Sequence, residues 1–168
     1  MDKNIITECF VDTCLVESLV VTTVGYNHQK GCNNVVKVMQ GKLADKFALG
    51  IVDKDKRSLE YLEEFEEKER FNEELYLYKH KTKPHYIIQI APAVEEFILK
   101  NAQTCNITLA TYGLPTVLNQ FIDETKTIKV KGDARFLQLF AEFKRRNVES
   151  ITKLTGWIEY LKTNPYNP

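Results

Sequence analysis

The sequence predicts an α/β fold, a mostly parallel sheet flanked by helices with a helical C-terminal extension, on three observations. Short apolar runs alternate with helical patterns through the first hundred or so residues, the order of successive βαβ units. The run at 47–52 is apolar throughout, as a strand covered on both faces must be. From residue 114 onward the pattern is helical only.

Residues 5–10 read as the first strand. Asp12 follows as an N-cap for a helix whose apolar positions include Leu15, Val16, Leu19 and Val20. The β-branched stretch 20–24 suits a short second strand. YNHQKGCNN, rich in Asn and Gly, reads as a loop ahead of a helix at about 34–46. The strand at 47–52 then ends at Asp53. Residues 58–71, acidic at 60, 63, 64, 66, 67 and 69, read as a solvated helix. Two strands at 75–79 and 85–90 flank the basic turn KHKTKP, paired as a hairpin or lying separately beside the sheet. Ala91-Pro92 ends the second, and a helix at about 93–102 begins where Pro is tolerated, with Glu95 and Glu96 in its first turn. Helices at 116–125, 133–145 (capped by Asp133) and 148–161 complete the chain. Residues 1–112 are thus the α/β domain and 113–168 a helical extension packed on it.

Composition narrows the function. The 43% apolar fraction belongs to an ordered globular chain, and Lys plus Arg equals Asp plus Glu at 23 each, so no global positive field announces a protein that coats nucleic acid. Any nucleic-acid site must be local. Lys79 to Lys83 and the run Lys144, Arg145, Arg146 are candidates that read equally well as solvated faces. Cys9, Cys14, Cys32 and Cys105 show no CxxC pair and no His at ligand spacing, so no zinc site is expected. With no signal peptide and no apolar stretch near the ~18 residues of a membrane span, the expectation is a cytoplasmic protein without membrane contact.

The chemistry rests on acidic residues. Glu8 and Asp12 in IITECFVD, then Asp53 and Asp55 in FALGIVDKD, stand at the ends of apolar runs, and Glu95 and Glu96 follow a third. In a parallel α/β sheet ligands collect outside the carboxyl ends of the strands. Carboxylates gathered there suit Mg²⁺ or Mn²⁺, hard cations that take oxygen ligands. Asp53 and Asp55, two apart in extended backbone, point the same way, and Lys54 points elsewhere. Lys30, a loop lysine before Gly31, is placed to meet a phosphate opposite the metals. His28, His80 and His85 read as structural or surface residues, and Tyr76, Tyr78, Tyr86 and Trp157 as packing residues.

The order strand-Glu8-x-x-x-Asp12-helix, then KGCNNVVKVMQ, FALGIVDKDKR and IAPAVEEFIL, resembles the TOPRIM domain of topoisomerases, bacterial primases and OLD-family nucleases, with the OLD type the nearer likeness. The resemblance spans residues 4–100. It implies a TOPRIM-like sheet, Glu8 as a catalytic or metal-binding residue, Asp12 as its accompanying acid, Asp53 and Asp55 as the metal-binding pair, and Glu95 or Glu96 as a later ligand. The implied activity is a Mg²⁺- or Mn²⁺-dependent nuclease that cleaves nucleic-acid phosphodiesters. One departure is Cys9, where the family usually has Gly; it points to a narrowed site or an inactive descendant. The second expectation is therefore a catalytically degenerate TOPRIM-like module that recruits a protein partner in a mobile-element or defence system, and the third a phosphatase or receiver-like domain acting on a small substrate.

Overall fold

Three strands buried on both faces set the centre of the fold: β1 (Ile5–Thr7), β3 (Ala48–Asp53) and β6 (His85–Ile90). The structure, a computed structural model, describes residues 1–54, 60–126 and 128–166. Among these residues one sheet runs in the order β2-β1-β3-β6-β5-β4, with β2 at Asn27–His28, β4 at Phe65–Phe71 and β5 at Leu75–His80. β2, β1, β3 and β6 are parallel neighbours, and β5 and β4 continue the sheet as an antiparallel hairpin off β6. The fold is α/β, as expected.

The pleat divides the apolar residues between two layers. Ile5, Leu49, Ile51, Ile88 and Ile90 face α1 (Phe10–Leu19), α3 (Val94–Thr104), α4 (Leu118–Thr125), α5 (Ala134–Arg145) and α6 (Glu149–Thr163). Ile6, Ala48, Val52 and Ile87 face α2 (Cys32–Gln40) together with Tyr61 and Phe65. Gly50 lies on this second face, where an added Cβ would meet Met39 Sδ and Val35 Cγ1 at 3.1 Å each; the missing side chain lets α2 approach the sheet. The first core contains α1 and sheet residues beside Phe121, Phe136, Phe140, Phe143 and Leu154, so the C-terminal helices share one apolar interior with the sheet. The chain ends are tied as well. Asp2, 8% exposed, accepts from Thr22, Thr23 and Lys162 of α6, and that lysine holds its carboxyl well below the usual range.

Several elements depart from the sequence reading. Of the stretch 58–71, residues 58 and 59 lie outside the described residues, and the rest does not form the expected helix: after a short 3-10 turn at Glu60–Glu64, FEEKERF is the edge strand β4. Its Glu, Lys and Arg residues favour a helix in isolation, but pairing of Phe65 with His80 and Phe71 with Leu75 overrides that preference. The same charges, exposed on an edge, discourage pairing with another chain. The second strand is not at 20–24 but at Asn27–His28, inside the stretch read as a loop, where it pairs with Ile6 and Thr7. Asp12 is not the N-cap of α1. Cys9 is, and Asp12 is the N3 partner of a capping box: Asp12 N–H donates to Cys9 Sγ and Cys9 N–H to Asp12 Oδ2.

The basic turn after β5 is built around two histidines. His80 Nδ1 accepts from the Thr82 and Lys83 N–H groups, which leaves its Nε2–H for Glu64. His85 donates Nε2–H to the Leu43 carbonyl and accepts from the Tyr61 hydroxyl at 2.6 Å. Both rings are buried and structural.

At the other end of the hairpin, Asn72 and Glu73 both have positive φ, 48° and 53°. Asn adopts this conformation far more readily than Glu. Glu73→Gly is expected to stabilise the fold by about 0.5–1 kcal/mol, read as a higher urea midpoint with an unchanged slope; an equal or lower midpoint would show that Glu73 carries no strain.

Candidate functional site

Because β2, β1, β3 and β6 run parallel, their carboxyl ends open on one edge of the sheet, and the segments that leave them lead into α2, α1 and α3. Glu8 follows β1 directly, Asp53 is the last residue of β3, and β6 leads through the cis Ala91-Pro92 bond into α3. Glu8 is joined to β3 at this edge: Asp53 N–H donates to Glu8 Oε2 at 3.0 Å, and Glu8 N–H to the Ile51 carbonyl. Asp53 in turn joins β3 to α3, its Oδ1 accepting from Val94 N–H at 2.9 Å. A helix N-terminus is a favourable place for that negative charge. Lys54 does point away, its ammonium 3.3 Å from the centre of the Tyr76 ring.

Above this edge lies a cavity of about 380 Å³. Glu8, Cys9 and Phe10 line it from the β1–α1 corner, and His28, Lys30 and Gly31 from the segment between β2 and α2. Glu95 closes it from α3, with Thr125 and Lys126 at the end of α4. Gly31 has φ 85°, a conformation a side chain would strain, so the turn that presents Lys30 depends on glycine.

Four carboxyl groups act on one another here. Burial pushes the Asp12 carboxyl up to about 8; the charges of Glu8 and Glu95 add to the shift, and hydrogen bonds from Cys9 oppose it. Burial likewise pushes Asp53 up to about 9, helped by the charges of Asp12, Glu8 and Glu95 and opposed by Val94 N–H. Asp12 is 0% exposed, and its Oδ1 has no hydrogen-bond partner. A buried carboxylate oxygen without a donor is costly, and a cation or a proton is what satisfies it. The Cys9 thiol is raised by burial and by Asp12, so it stays protonated and is no nucleophile.

The structure therefore brings Glu8, Asp12, Asp53 and Glu95 together and places Lys30 on the cavity wall. Glu96, expected as an alternative ligand, is exposed on α3 outside this group; one residue along a helix is about 100° of rotation, so only one of the two glutamates can face the site. Asp55 lies outside the described residues. Among the described residues no three His, Cys, Asp or Glu side chains stand ready as a metal-binding group. The basic candidates lie elsewhere. The turn at 81–84 precedes β6 and so sits at the opposite edge of the sheet, while Arg145 and Arg146 both bind Glu142 and Lys144 donates to the Leu19 carbonyl.

Three residues of the cavity wall escaped the sequence reading. His28 stacks on Phe10 with ring centroids 4.1 Å apart. The Thr13 hydroxyl donates to the Cys9 carbonyl at 2.7 Å and lies 3.3 Å from His28 Nδ1, so the ring nitrogen is the donor in that pair and Nε2 carries a lone pair. That Nε2 is buried and without a partner, and burial lowers the His28 pKa, which keeps the ring neutral. Its signal in sequence was only a His in an Asn- and Gly-rich stretch. Thr125 and Lys126 had none, since they reach the site from 30 residues beyond Glu95.

No helix among the described residues is long and apolar enough to cross a membrane. Compared with known proteins, the chain matches no family profile, no curated protein and no solved structure.

Proposed function

We propose that this protein is a divalent-cation-dependent phosphoryl-transfer enzyme, a nuclease that uses Mg²⁺ or Mn²⁺ to cleave nucleic-acid phosphodiesters, built on a TOPRIM-like domain. The observation that carries this reading is the unpartnered, buried Oδ1 of Asp12 among the carboxyl groups of Glu8, Asp53 and Glu95. All four donors are hard oxygens, the type Mg²⁺ and Mn²⁺ take. Glu8, Asp12, Asp53 and Glu95 would hold the ion, which when bound supplies Lewis acidity and a water of lowered pKa. Lys30, exposed at the cavity mouth, meets the phosphate. His28, which lines the cavity, carries a neutral ring whose Nε2 is an acceptor with no protein partner.

The test is metal binding before cleavage. Titrated with Mn²⁺ at pH 8, the wild-type protein is expected to show saturable binding at or below millimolar concentration, and Asp53→Asn to lose at least about tenfold in affinity. Oligonucleotide cleavage should then require the metal and stop in EDTA. Wild-type protein that takes up no Mn²⁺ at millimolar concentration would sink the reading.

A second reading, a non-catalytic interaction module, is favoured by the capping box, in which Asp12 Oδ2 already has a structural task with Cys9. It predicts metal binding without cleavage.

A further inference from the structure

The helical C-terminal portion reaches the acidic cavity through the last turn of α4. Thr125 is 3% exposed, and its hydroxyl lies 2.6 Å from Glu95 Oε1 and 2.9 Å from the Ile122 carbonyl. A contact with a helix carbonyl three residues back is local and common for threonine; the shorter one, to a carboxylate on another helix, is neither. It fixes the one glutamate of α3 that faces the site. Lys126 comes next in the chain and lines the same cavity as Lys30. Its ion pair with Asp123, at 2.9 Å, joins side chains 65% and 76% exposed, so it holds little and Lys126 can exchange it for another anion.

Two buried polar atoms at this edge of the sheet have no partner, one of them on a residue that lines the cavity. Asp12 Oδ1 is buried and unpartnered, and so is His28 Nε2. The polar wall is also divided by charge. Its carboxyl groups, Glu8 and Glu95, come from the end of β1 and from α3, with Asp12 buried at the same edge, whereas the lysines come from the two segments that close the cavity, the turn before α2 and the end of α4.

We infer that α4 completes the site: Thr125 is a positioning residue that holds Glu95 toward Asp12 and Asp53, and Lys126, with Lys30, receives a phosphate group of the substrate. Cation and anion are thus gripped by different segments of one cavity. The inference rests on the phosphoryl-transfer reading above, and extends it by making residues beyond the TOPRIM-like part a portion of the machinery.

The experiment compares wild type, Thr125→Val, Thr125→Ser and Lys126→Gln in Mn²⁺ affinity and thermal midpoint. It also follows the anisotropy of a short labelled single-stranded oligonucleotide, with Ca²⁺ in place of Mn²⁺. Thr125→Val is expected to weaken Mn²⁺ binding about tenfold, and Thr125→Ser, which keeps the hydroxyl, to restore it to within about twofold. Lys126→Gln should weaken the oligonucleotide about threefold and lower the slope of log affinity against log salt by about 0.7. Inorganic phosphate that fails to displace the oligonucleotide at millimolar concentration would mark a strand site, and phosphate that displaces it a phosphomonoester site; either supports the assignment of Lys126.

Wild-type Mn²⁺ affinity in Thr125→Val, or wild-type oligonucleotide affinity in Lys126→Gln, overturns the inference while the metal site stands. Failure of the wild-type protein to bind Mn²⁺ overturns the functional reading itself. If Thr125→Val does not fold, the same comparison between Thr125→Ala and Thr125→Ser decides the point.

Discussion

Asp12→Asn is expected to stabilise the protein at pH 8 in EDTA by about 1–3 kcal/mol while abolishing its response to Mn²⁺. The Asp12 carboxyl is buried beside the charges of Glu8 and Glu95, which raises its pKa to about 8. In the unfolded chain it titrates near 3.8, the ordinary value. A folded-state pKa above the unfolded one means that the folded protein binds the proton more tightly. The associated stability is fully present below pH 4 and is lost as pH rises through 8, and the same holds for Asp53 up to about 9. Wild-type stability in EDTA should therefore fall between pH 5 and pH 9.

Asparagine cannot ionise, keeps an oxygen for Cys9 N–H, and spares Asp53 one neighbouring charge, so the variant's profile should be flatter. Urea unfolding at pH 5, 7 and 8 measures it. Mn²⁺ at pH 8 should raise the thermal midpoint of wild type, by binding the folded state alone, and leave Asp12→Asn unmoved. Parallel pH profiles for the two proteins would show that Asp12 ionises normally and that the site is not under electrostatic tension. A residue whose removal stabilises the fold and removes ligand binding is held there for function.

The other large effect is expected far from the cavity. Phe140→Ala should cost about 3–5 kcal/mol and lower a single cooperative transition. Phe140 is 0% exposed on α5, between Phe136 and Phe143 at ring separations of 6.1 and 6.3 Å, in the same core as Leu15 of α1 and Ile51 of β3. A cavity there is surrounded by elements from both parts of the chain, and α1, which packs on α5, carries Asp12 at its start. Calorimetry decides it. Two separated transitions, only one of them shifted by the substitution, would mean that the C-terminal helices unfold independently and that the shared core does not couple them to the sheet.

What was legible in the sequence has a common physical origin. β3 and β6 are buried on both faces, so their residues are apolar without interruption and stand out against any neighbour. β1 is as buried but only three residues long, and it is marked by Glu8 and the helical pattern that follow it. The strand β4 is hidden in the sequence for the opposite reason. An exposed edge strand has one apolar contact at each end and charges between, and only its pairing with β5 separates FEEKERF from a solvated helix. β2, two residues of Asn and His, carries no strand propensity at all; it exists because Ile6 and Thr7 offer it a parallel edge.

The site divides along the same line. Composition and order alone determined the α/β class, the strands that end in Glu8 and Asp53, and the acidic chemistry they bring to one edge, because alternation, burial and chain order are local properties. Only the tertiary structure decided that Cys9 rather than Asp12 caps α1, that Glu95 faces the cavity and Glu96 does not, and that His28, Thr125 and Lys126 belong to its wall. Those choices are made by contacts between segments tens of residues apart, where a single hydrogen bond or a turn of helix selects the neighbour, and no local pattern records it.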